Sequence, residues 1–163
     1  MTVRRIIFAV WLALVLAAPA TAGAAGRPQS AGALVRAATA AGERYWGAVP
    51  CTGGVAVIAR QPLAAGVDRF TDAWVTFETP LGANDLSAPA ADYTRCTIAL
   101  ARWRWPTASS MAQDWDLLCT TITHELGHLL GHPHDATPGS VMAPVFTDRS
   151  TEPAVCRSAR PHR

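Results

Sequence analysis

Apolar side chains recur at Leu34, Val35, Ala38, Ala41, Tyr45 and Trp46, along one face of a helical period. The pattern predicts a helix over residues 33–46, stopped by Gly47 and Pro50. The period then changes. Residues 51–59 are rich in valine and isoleucine and read as a buried strand. Residues 73–78, AWVTFE, are β-branched and aromatic and read as a second strand that ends at Pro80. Residues 81–95 are loop by composition, and 96–101, CTIALA, form a third strand. A long helix follows, capped by Asp114 or Asp116, with Leu117, Leu118, Ile122, Leu126, Leu129 and Leu130 leading to Gly131. No strong period lies beyond Gly131, and the tail TEPAVCRSARPHR reads as irregular, tied down by Cys156. Helix, strands, long helix and irregular tail in that order predict an α+β fold.

The chain has 163 residues, 50% of them apolar, which suits one domain with a real core. Residues 1–22 read as a secretory signal peptide: Arg4 and Arg5, an apolar run to Ala18, then small residues for cleavage after Ala22. Residues 23–32 read as a flexible mature N-terminus and 33–163 as the folded domain. No later stretch is long and apolar enough to span a bilayer, so a secreted protein without membrane contact is expected after cleavage. The formal charge is +2, and without Arg4 and Arg5 the two signs balance. A nucleic-acid partner, which would call for a basic stripe, is excluded on that ground. Every basic side chain is arginine, which has no physical account here.

Composition matters most at HELGHLLGHPHD, residues 124–135, which holds four of the five histidines. His124 and His128 are four apart and share one helical face, so both imidazoles can reach one zinc ion. Glu125 sits beside them, placed to act as general base on a water. His132 continues the helical spacing but cannot fold back onto the same ion. Gly131 tolerates the left-handed conformation that ends helices, and a turn there returns His134 as the third ligand. Three ligands leave a fourth position open, as in catalytic zinc sites. His132 reads as an exposed loop residue, and Asp135 as a residue that fixes the turn.

These residues resemble a known family. HELGHLLGHPH matches the metzincin pattern HExxHxxGxxH at every fixed position. Ser140-Val141-Met142 lies where the matrixins carry their Met-turn, and Met142-Ala143-Pro144 is similar to their Met-x-Pro. The resemblance is specific over residues 114–144 and architectural over 34–101. It implies a metzincin-like catalytic domain: a small twisted mixed sheet, an N-terminal helix, a long zinc-binding helix and a Met-turn at Met142. It implies one catalytic Zn2+ held by His124, His128 and His134. The chain departs from relatives that place a tyrosine two residues past the turn methionine, since it has Pro144 there. It is short, and similar in size to the snapalysins, whose third ligand is aspartate where this chain has His134. A second, structural zinc is not expected, because the remaining histidine is His162 in the tail, and calcium is not expected either.

The resulting expectation is a secreted zinc endopeptidase that acts as a monomer on protein or peptide substrates. The alternative is a secreted zinc-binding or protein-binding module that keeps the site without turnover. The metzincin plan makes AWVTFE the sheet edge along which an extended substrate lies. The four cysteines, Cys51, Cys96, Cys119 and Cys156, favour disulfides in an exported chain. Three pairings are possible. Cys51 and Cys96 each begin a strand, and Cys156 can anchor the tail to the zinc helix at Cys119, so Cys51–Cys96 and Cys119–Cys156 are the pairs expected.

Overall fold

The computed structural model describes residues 29–146 and 151–161; the expected signal peptide, residues 23–28 of the expected flexible segment, and His162 lie outside them. Helix α1 runs over Ala31–Trp46. It starts two residues before the apolar pattern, because the Ser30 side chain accepts from the Ala33 N–H and caps it. Ala31 and Gly32 are therefore helical rather than part of a flexible terminus.

Strands β1 (Thr52–Gln61), β2 (Ala73–Thr79), β3 (Gly82–Ala83) and β4 (Thr94–Ala101) form one mixed sheet in the order β1-β4-β2-β3. β1 pairs parallel to β4, and β2 antiparallel to both β4 and β3. The first strand was expected to be buried; it is an edge strand with alternating exposure. Val55, Val57 and Ala59 face the core while Ile58 is 44% exposed. Its apolar run hides a period of two, because alanine and isoleucine stand on the open face. The central strand is β4, where Cys96, Ile98 and Leu100 are all buried.

The expected loop holds β3 and a single 3-10 turn, Ala90–Asp92. Helix α2 (Ala108–Gln113) was not expected. Thr107 and Ser110 form a reciprocal capping box that starts it, and six residues are too few to display a period. The long helix, α3, spans Trp115–Leu129. Asp114 precedes it without a side-chain cap, having turned instead to Arg104 at 3.0 Å. The tail is not irregular throughout: α4 covers Ala154–Ser158. Its five residues are held by tertiary contacts, including the Trp115 Nε1–H donating to the Cys156 carbonyl at 2.8 Å.

The core lies between the sheet and the helix pair α1 and α3. Leu34, Ala38 and Ala41 of α1 meet Leu118, Ile122, Leu126 and Leu129 of α3 in one cluster with Ile98 and Leu100. The helices cross closely at Gly42, where an added Cβ would stand 3.2 Å from the Thr123 Cα. Both disulfides are present, with Cα–Cα distances of 6.1 Å for Cys51–Cys96 and 5.7 Å for Cys119–Cys156. The first ties the two parallel strands; the second ties α4 to α3 one turn before the histidines.

Candidate metal centre

His124 and His128 project from one face of α3, with ring centroids 4.6 Å apart. The helix ends in a Schellman arrangement. The Gly131 N–H donates to the His128 carbonyl at 3.0 Å and the His132 N–H to the Gly127 carbonyl at 2.9 Å. This needs a left-handed residue at the corner, and Gly131 supplies it with φ 86°. The redirected chain carries the His134 ring to 4.8 Å from His128 and 5.3 Å from His124. The candidate ligand nitrogens of the three lie within 4.8 Å of one another. Among the described residues no other three histidines, cysteines or carboxylates are so grouped. His132 is turned away, and its ring stacks on Trp46 at 4.4 Å and 15°.

Two backbone carbonyls orient the helical imidazoles. His124 Nδ1 lies 2.8 Å from the Val141 oxygen and His128 Nδ1 lies 2.9 Å from the His132 oxygen. A carbonyl only accepts, so each Nδ1 carries the proton and each Nε2 is left with its lone pair for a metal. Burial holds His124 down to about 4, against the opposing effect of the Val141 bond, and burial also lowers His128. Neutral, oriented imidazoles with free Nε2 atoms are the donor set that zinc takes. None of the carbonyl partners was legible in the sequence, since every residue carries one.

The segment after His134 is closed by its own bonds. Asp135 donates its N–H to the Met142 carbonyl at 2.9 Å, while its Oδ1 accepts from the Thr137 N–H and hydroxyl. Those Thr137 bonds hold the Asp135 carboxyl below its usual range. Met142 is buried next to Gly127 of α3. A Cβ on Gly127 would stand 2.5 Å from Met142 Sδ and 2.7 Å from Trp46 Cζ2. Gly127→Ala is therefore expected to cost about 1–3 kcal/mol by overpacking. Thermal unfolding of the metal-free variant checks this; an unchanged midpoint would show that Met142 yields freely.

Glu125 lines the same cleft, about 650 Å³ in volume, together with the three histidines, Trp74 and Val75 of β2, and residues 143–146. Burial alone pushes its carboxyl up to about 8. A cation at the histidines would draw it back down. Without metal, Glu125 stabilises the fold below its ordinary value of 4.5, and that contribution is lost as pH rises through 8. His124 acts in the opposite sense: its contribution is present above 6.5 and lost as pH falls through about 4. The window between pH 6.5 and 8 lies above the His124 transition and below the midpoint of Glu125. Metal-free protein is expected to lose about 2 kcal/mol across that window, at 1.36 kcal/mol per unit. Denaturant midpoints at the two pH values test it, and a Glu125→Gln variant that loses as much would refute the cause.

A long helix bearing two imidazoles, a Gly corner returning a third, and a buried methionine next to that helix, all against a small mixed sheet, are the arrangement of a metzincin-like domain. The family profile described as Matrixin matches residues 88–156, from the 3-10 turn through α3 to the Cys156 bridge. Over that stretch, less than half of the chain, it resembles the matrixins, a family of metalloproteases that use zinc. No curated protein and no solved structure matches the chain.

Proposed function

We propose that this protein is a secreted zinc endopeptidase in which His124, His128 and His134 hold one zinc ion and Glu125 is the general base. The observation that carries this is the convergence of three imidazoles, two with their Nε2 atoms freed by carbonyl bonds, beside a buried carboxylate in one open cleft. When bound, zinc supplies Lewis acidity toward a carbonyl oxygen and a water. Glu125 accepts the proton of the attacking water and delivers it to the leaving amine. Its apolar surroundings keep its affinity for a proton near what a step at neutral pH requires. The Val141 and His132 carbonyls hold the ligands in one tautomer. The turn that carries Met142 holds His124 through the Val141 carbonyl.

The substrate backbone has a place to lie. β2 pairs with β4 on one side, and β3 covers only its last residues, Glu78 and Thr79. Its opposite edge along Ala73, Trp74 and Val75 borders the cleft. An extended peptide added there would take main-chain bonds from β2 and pass the histidines. The two disulfides fit an oxidising compartment, and no helix among the described residues is long and apolar enough to cross a membrane. Export through the segment of residues 1–22 and action as a monomer on proteins or peptides complete the proposal. It is tested by expressing the chain from residue 23, measuring bound zinc, and assaying casein with and without chelator. One zinc per chain with chelator-sensitive hydrolysis is expected. Bound zinc without hydrolysis would favour a binding module.

A further inference from the structure

Each helical histidine has a carbonyl that sets its ring, Val141 for His124 and His132 for His128. His134 has no such partner: among the described residues none is hydrogen-bonded to its ring. Its place therefore depends on the backbone that carries it. After His134 that backbone is tied by the Asp135 N–H, which donates to the Met142 carbonyl at 2.9 Å. Before it lies the Gly131 corner, whose bonds return to the His128 and Gly127 carbonyls of α3. A corner bonded only to its own helix fixes its curl, and its outer side is left to whatever packs there.

Ala90 packs there. A Cβ built on Gly131 would stand 3.3 Å from the Ala90 Cβ, and among the described residues no other atom beyond the chain neighbours comes within 4 Å. Ala90 opens the 3-10 turn and is half-buried against the core. The turn is firmly seated. The Asp92 N–H donates to the Pro89 carbonyl at 2.9 Å and the Tyr93 N–H to the Ala90 carbonyl at 3.2 Å. Ala88 before it and Tyr93 after it are buried. The Tyr93 ring stacks on Phe77 of β2 at 3.9 Å, and its carbonyl accepts from the Thr52 N–H of β1 at 3.2 Å. Anchored to two strands, the turn offers Gly131 a methyl on a close-packed base, not on a yielding loop.

We infer that Ala90 is a positioning residue of the metal centre: its methyl backs the Gly131 corner and, through it, sets where His134 meets the other two imidazoles. The inference rests on the reading of His134 as the third ligand. A larger side chain at position 90 has to enter the space beside Gly131, where even a Cβ is crowded, and so displaces the corner. The next residue, Ala91, is exposed and can grow into solvent. The two alanines of one short turn therefore differ in what their enlargement does to the metal.

Zinc affinity is measured by competition against a chromophoric chelator. Ala90→Leu is expected to lower it about 10- to 100-fold, the range for groups that orient a ligand. Ala91→Leu, the same enlargement on the exposed side, is expected to leave it unchanged. In a His134→Ala background Ala90→Leu is expected to cost nothing more, because its route to the metal is gone; a general loosening of the fold would persist there. An unchanged affinity in Ala90→Leu, an equal loss in Ala91→Leu, or an equal loss in both backgrounds overturns the assignment. If Ala90→Leu does not fold, Ala90→Gly, which removes the methyl without adding bulk, carries the same cycle with an expected loss of about 10-fold. If the wild type binds no zinc, the ligand reading fails by itself, and amide exchange of the metal-free protein decides the buttress. Ala90→Gly is then expected to speed exchange at the Gly131 and His132 amides and to leave residues 118–126 of α3 unchanged. Unchanged exchange at the corner overturns it.

Discussion

Glu125→Ala is expected to keep one zinc per chain and to lower peptidase activity about 10²- to 10⁴-fold, the usual worth of a general acid–base. The expectation combines two features of the site. The three imidazoles of the proposed ligand cluster group together without Glu125, so the proposed metal has no need of the carboxylate. The carboxylate is 6% exposed and lines the cleft beside them, where burial governs its proton affinity. Its removal takes away a proton acceptor while leaving the cleft open. Zinc content by atomic emission and initial rates on a fluorogenic peptide measure the two effects separately. A variant that hydrolyses as fast as wild type would end the general-base assignment, and one that loses zinc would show the carboxylate to be part of the metal's shell.

His134→Ala is expected to weaken zinc binding by more than about 100-fold, the upper range for loss of an outer partner, since the proposed role of His134 is that of a direct ligand. His132→Ala should leave affinity nearly unchanged. The two histidines flank Pro133 and both are exposed, so composition and exposure do not separate them. Position does. The His134 ring stands 4.8 Å from His128, whereas His132 lies flat on Trp46 and serves the site through its carbonyl, which an alanine keeps. Competition against a chromophoric chelator gives both constants. Equal losses would mean that the stacked His132 ring, not its backbone, supports His128.

The site was more legible in the sequence than the sheet was, for a physical reason. The spacing of His124, Glu125 and His128 is a property of the helical period, and Gly131 marks a left-handed corner because other residues resist that conformation. The chain between His124 and His134 is short and locally determined, so its residue types suffice to predict where the rings converge. The Cys51–Cys96 and Cys119–Cys156 bridges followed from which segments begin strands and which segment needed an anchor.

Long-range packing decided the rest. Whether residues 52–61 form a central or an edge strand depends on what lies beside them, and β4 covers one side only. α4 exists because Cys119 and Trp115 hold five residues that have no helical signal of their own. Met142 packs against α3 because Gly127 has no side chain to exclude it. The orphan hydroxyl of Thr121 is the clearest case. Thr120, Thr121 and Thr123 are the same residue type on one helix, and sequence treats them alike. Two of them spend their hydroxyls on carbonyls a turn behind, and the packing around α3 leaves the third buried without a partner. Local periodicity and backbone preference are written in a few neighbouring residues; which polar group stays unpaired depends on segments distant in sequence.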